Sequence, residues 1–113
     1  MTGKVLLDTA VTMLGYVYED DLYRPAIVYI NQICTDLCLA GGYENKRIND
    51  LSEKINLPDG ILNDVAVYGL AMWIALLRGD GEKNQFFASV YNQKRQRLTS
   101  INSRKDVLPN TEG

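Results

Sequence analysis

Leu7, Val11 and Leu14 fall at i, i+4 and i+7, the stripe of a short amphipathic helix over Lys4 to Leu14, and Gly15 is placed to stop it. A second helix is predicted from near Asp21. Glu19, Asp20 and Asp21 suit a helix N-terminus, where unpaired backbone N–H groups and the dipole favour negative charge, and Pro25 is close enough to the first turn to be tolerated. From there Leu22, Ala26, Tyr29, Ile33, Leu37 and Ala40 keep helical spacing until Gly41 and Gly42 end the element. Ile27, Ile30, Cys34 and Cys38 form a second apolar row, so this helix is expected to be covered on two sides, and contact between subunits is one way to cover it.

Residues 43 to 59 mix polar side chains irregularly with Ile48, Leu51, Ile55 and Leu57 before Pro58, Asp59 and Gly60, a pattern that predicts an ordered loop with room for a short β-hairpin. Ile61 to Leu77 follows as a helix that contains an unbroken apolar run from Val65 to Leu77, hydrophobic all round. That run is shorter than the roughly 20 residues a membrane span needs, so a central core helix is expected. Gly69 inside it predicts close approach of another helix. Arg78-Gly79-Asp80-Gly81 reads as a turn, with Asp80 placed to cap a last helix from Gly81 to Asn102 that has Phe87, Val90 or Tyr91, Leu98 and Ile101 on one face. Ser103 to Gly113 reads as a flexible C-terminal tail. The expected fold class is therefore all-α, a four-helix domain over residues 1–102 with an ordered central loop, followed by a tail over 103–113.

A chain of 113 residues with 46% hydrophobic and 23% charged side chains is one globular domain, which excludes wholesale disorder. Its net charge of −2 argues against a whole-surface nucleic-acid binder. The charge is unevenly placed. Residues 1–80 hold 6 basic and 11 acidic side chains, whereas residues 81–105 hold Lys83, Lys94, Arg95, Arg97, Arg104 and Lys105 against Glu82 alone. Identical subunits packed side by side, basic helix against acidic neighbour, would complement one another.

The absence of His removes the commonest general base and metal ligand at neutral pH. Cys34 and Cys38 are the only cysteines; four helical positions apart they are poorly aimed for a disulfide and too few for a structural zinc site, so buried thiols in a reducing, cytoplasmic setting are expected. Asp20, Asp21, Asp59, Asp64 and Asp80 all sit at expected helix ends, where capping accounts for them. No phosphate loop is present, because Gly41-Gly42 lacks the Lys-Ser/Thr that would follow it. No catalytic, cofactor-binding or metal-binding residue is expected, and the first residues do not look like a secretory signal. Residues 48–77 superficially resemble a helix-turn-helix, the basis of an alternative reading as a small DNA-binding regulator. Ile61, Leu62, Asn63 and Asp64 at the start of its second helix are poor readers of base edges.

Taken in order, Leu57-Pro58-Asp59, Tyr68-Gly69-Leu70-Ala71, Gly79-Asp80-Gly81, Phe86-Phe87 and Tyr91-Asn92-Gln93-Lys94-Arg95 resemble the head-tail connector, or head-completion adaptor, proteins of long-tailed bacteriophages. The resemblance covers about residues 48–98; residues 1–47 match only in helical pattern and the tail does not match. It implies a structural subunit with no reaction to catalyse, in a ring, usually of twelve copies, in the neck of the virion. Such a ring docks under the portal protein, accepts a stopper or tail-completion protein below, and passes DNA through its channel without sequence-specific binding. The protein would be made in the host cytoplasm and would not engage a membrane. On that reading Tyr91, Asn92, Lys94, Arg95, Arg97, Arg104 and Lys105 are expected at portal or neighbour interfaces, neighbour contacts also on the second helix, and Asp50 and Glu53 on the channel or loop face.

Overall fold

In the computed structural model, which describes the backbone of residues 1–112 and the side chains of residues 1–101, the apolar stripes become four helices. Helix α1 is Gly3–Leu14; its N-cap Thr2 accepts from the Val5 N–H, and Gly15 ends it at φ 75°. A 3₁₀ turn, Asp20–Leu22, leads into α2, Tyr23–Gly41, which Gly42 closes at φ 76°. Helix α3, Asp59–Leu77, is continuous but carries a π-turn over Leu62–Ala66. Helix α4 is Gly81–Glu112, capped by Asp80, whose Oδ1 accepts from the Lys83 N–H at 3.3 Å.

Helix α3 is the centre and touches each of the other three. Leu62, Val65, Ala66, Val67, Leu70, Ala71, Ile74 and Ala75 are all buried in it. The extra residue of the π-turn rotates the face enough to bury Leu62 together with Val65, Ala66 and Val67. By length and composition α3 could cross a membrane; here half of its apolar window is buried among the other helices.

At Gly69 helices α3 and α4 pack closely. A Cβ there would meet the Tyr91 ring at 2.8 Å and Ile33 Cδ1 at 3.3 Å, so the absent side chain is what lets α4 lie against α3.

The central segment is an ordered loop without the hairpin. Residues 42–58 form no strand; the one bridge is antiparallel between Thr2 and Lys54. Ile48, Leu51, Ile55 and Leu57 are all buried, and their spacing of three, four and two does not alternate as a half-buried strand must. The loop instead runs back along α2 and is tied to the N-terminus. Lys4 N–H donates to Leu51 O at 2.8 Å and Ile55 N–H to Met1 O at 3.0 Å. Its anchor is Asn31, buried on α2, whose amide donates to Ile48 O and accepts from Ile48 N–H, both at 2.9 Å.

Most of both apolar rows of α2 is thereby covered within one chain. Ala26, Ile33 and Leu37 of the first row are buried, and Ile30, Cys34 and Cys38 of the second are closed off as well. Ile27 of the second row and Tyr29 of the first stay half-buried. Helix α4 buries Phe87 and Tyr91 and half-buries Leu98, as its stripe predicts, but leaves Ile101, the last residue of that stripe, 45% exposed. It does not end at Asn102; its backbone is helical to Glu112, and the side chains of the expected tail lie outside the described residues.

Gly69→Ala separates two effects of opposite sign. Helix propensity alone would stabilise α3 by about 1 kcal/mol, but the clash with Tyr91 costs about 1–3 kcal/mol, so urea denaturation is expected to show net destabilisation. Asn31→Ala leaves the buried N–H and C=O of Ile48 without partners and should lower unfolding free energy by on the order of 2 kcal/mol in the same assay.

Candidate assembly surfaces

The basic segment of α4 is held largely by the fold itself. The Tyr91 ring is buried against Gly69, and its hydroxyl donates to Asp36 Oδ2 at 2.7 Å. Arg95 Nε donates to the same oxygen at 2.6 Å. Burial pushes the Asp36 carboxyl up, but the hydrogen bonds from Arg95 and Tyr91 outweigh it and hold the group below the usual carboxylate range. Burial and the Asp36 contact raise the Tyr91 phenol, so it stays protonated and donates.

Lys94 pairs with Asp64 at 2.6 Å and stands 5.1 Å over the Tyr68 ring. Lys83 donates to Leu14 O at 2.6 Å, bonding a carbonyl at the C-terminal end of α1, and lies 4.7 Å over the Tyr16 ring. Of the six cations in residues 81–105, Lys83, Lys94 and Arg95 are thus engaged inside one chain; Lys94 and Arg95 are among those expected at interfaces. Tyr91 is buried in the core of the chain. Asn92 and Arg97 are exposed, and Arg97 forms no ion pair among the described residues; the side chains of Arg104 and Lys105 lie outside them.

Asp50 and Glu53 serve the loop. Glu53 Oε2 accepts from the N–H groups of Asn49 at 2.6 Å and Asp50 at 2.7 Å. Asp50 accepts from the Ser52 N–H at 3.1 Å and from the hydroxyls of Ser52 and Tyr23, and the Ser52 bonds hold its carboxyl below the usual range. Both side chains fix the path of the loop, and Lys46, Arg47 and Lys54 stand exposed on the same segment. Residues 48–58 contain no helix, so the first half of a helix-turn-helix is not formed there.

At the other end of the molecule the α1–α2 connection meets the α3–α4 turn. Arg78 clamps Asp21 with two bonds of 2.9 and 2.8 Å, which hold Asp21 below its usual value. Tyr16 donates to Asp80 Oδ2 at 2.7 Å. Burial first and Asp80 second push the Tyr16 phenol up to about 12. A groove of about 600 Å³ opens between these segments, lined by Tyr16, Val17, Glu19, Asp80 and Glu82 among others. A second, of about 170 Å³, lies between α2, α3 and α4 beside Asp36, Trp73 and Tyr91.

Several large apolar side chains stay outside the core: Val17 is 81% exposed, Leu39 80% and Phe86 62%. Sequence reasoning missed Asp36 and Asp64 as partners, because the bonds cross 59 and 30 residues and no local spacing announces them. The cap at Asp80 and the buried thiols of Cys34 and Cys38 were legible. Burial pushes the Cys34 thiol up to about 12 and raises Cys38 as well.

Asp36 carries a pH dependence of definite sign. Its folded pKa lies below the unfolded value of about 3.9, so its contribution to stability is full above that value and is lost as pH falls through the folded pKa. Asp36→Asn is expected to cost about 1 kcal/mol at pH 7, a figure reduced for the partial exposure of the pair. The gap between variant and wild type in guanidinium titrations should close below pH 4.

Comparison of the chain with protein-family models, with curated proteins and with solved structures finds no match in any of the three.

Proposed function

We propose that this chain is a structural subunit of a phage head-tail connector ring, docking under the portal and linking the capsid to the tail or stopper protein. The observation that carries the reading is a single contact unit. Several of the residues that resemble the connector family hold α4 in place: Gly69 of α3 receives Tyr91, Asp80 caps α4, and Tyr91 and Arg95 close on Asp36 of α2.

The exposed apolar side chains support it further. Val17, Leu39 and Phe86 remain outside a core that is already complete, as expected of a subunit whose remaining partners are other proteins. The ring of twelve copies, its place in the virion neck and the passage of DNA through its channel come with the resemblance. Synthesis in the host cytoplasm does too. Neighbour and portal contacts then fall to side chains the fold leaves exposed, Asn92 and Arg97 on α4 and Leu39 on α2, while Tyr91, Lys94 and Arg95 hold the shape that presents them.

Native mass spectrometry of the purified protein mixed with a portal ring from the same genome tests the proposal. Many copies bound to one portal are expected; a chain that ignores the portal, and instead binds duplex DNA with a steep salt dependence, would replace the connector with the regulator.

A further inference from the structure

Two exposed surfaces at different ends of α4 match each other. The first is the groove between the α1–α2 connection and the α3–α4 turn. Its apolar strip is Val17, beside the Tyr16 ring, and its rim carries Glu19 and Glu82, neither in an ion pair among the described residues. The one cation in its lining, Arg78, is taken by Asp21. An apolar floor with an acidic rim suits a partner that presents an apolar side chain flanked by cations.

The second surface is that partner in form. Leu98 is the last α4 side chain packed on the core among the described residues. Beside it Arg97 is exposed without an ion pair among those residues, and Ile101, one turn beyond Arg97, is 45% exposed. Residues four apart on a helix are neighbours, so Arg97 and Ile101 share a face, and Arg104 and Lys105 follow in the sequence at i+3 and i+4 from Ile101.

One chain cannot make this contact with itself. Gly81 and Glu82 of the groove wall are the first turn of α4, and Arg97 stands fifteen residues further along the same helix, about 22 Å away. We infer that the Val17 groove receives the Arg97–Ile101 face of α4 from a second copy of this chain. The inference rests on the reading that the protein works as an assembly of identical subunits, and it names the surfaces that join them.

Different patches then meet on the two subunits. Such a contact is heterologous and propagates head to tail, closing into a ring when the rotation allows. Val17 against Ile101 forms the desolvated centre. Glu19 and Glu82 facing Arg97 set the register and make assembly weaken with salt.

Charge reversal in pairs tests it. Glu19→Lys with Glu82→Lys reverses the groove; Arg97→Glu with Arg104→Glu reverses the helix. Circular dichroism first establishes that each variant folds, and sedimentation velocity at low salt reads assembly. Wild type is expected to assemble, and each variant alone to need at least ten-fold higher concentration. An equimolar mixture of the two should assemble again, because each reversed groove then meets a reversed helix. Folded variants that assemble like wild type, or a mixture that stays dissociated, overturn the inference and leave the connector reading standing. Variants that assemble normally but lose the portal assign the groove to the portal and overturn it equally. A wild-type chain that stays monomeric, both alone and with the portal, overturns inference and connector reading together. Salt-sensitive assembly restored in the mixture, from a protein that ignores the portal, upholds the inference and removes the connector.

Discussion

A helix that is apolar almost all round needs walls on most of its sides, and α3, which leaves Leu76 and Leu77 exposed at its end, imposes that demand on the rest of the chain. Helices α1, α2 and α4 each take a share of its surface. The wall on the α4 side is only as close as the smallest residue in it, which is Gly69. The Tyr91 ring fills that space, and burying the ring brings a hydroxyl that must find an acceptor. Asp36 on α2 supplies it and is itself neutralised by Arg95. One apolar requirement thus ends in a polar clasp between α2 and α4, two helices whose bonded residues lie 55 and 59 positions apart.

What the sequence discloses and what it hides follow the range of the interactions. Helices closed by Gly15 and Gly42, the cap at Asp80 and the close approach at Gly69 depend on residues within a turn or on a missing side chain, and each can be read from spacing. The path of residues 42–58 depends on Asn31, seventeen positions from the Ile48 it clamps, and no local pattern points to that pairing. The π-turn in α3 is hidden for a similar reason. Its extra residue is set by what packs around Leu62 and Val65, while the residues of the turn have ordinary helical propensity. The internal pairing of Lys94 and Arg95 is hidden because a cation that pairs across the fold looks the same in sequence as one that faces solvent. Lys94 and Arg97 are three residues apart and have opposite fates.

That sorting of charge simplifies the surface. Once Lys83, Lys94, Arg95 and Arg78 are engaged with the chain's own oxygens, the excess of basic groups in α4 no longer describes its exterior. The same holds for two carboxylates of the central loop, Asp50 and Glu53, which face backbone N–H groups. What remains to meet other molecules is a smaller set of groups, placed toward the two ends of α4, along α2 and at Lys46, Arg47 and Lys54 of the loop. A reading by net charge per segment counts the wrong groups; a reading by unengaged groups leaves few choices of contact.

Cys34 and Cys38 are enclosed between the core and the loop that Asn31 holds down, and burial raises both thiols, Cys34 to about 12, which favours the protonated form at neutral pH. Their sulfurs are therefore chemically silent while the loop is closed over α2. Thiol alkylation becomes a clock for the folded state, with each labelled molecule recording a moment when that cover lifted.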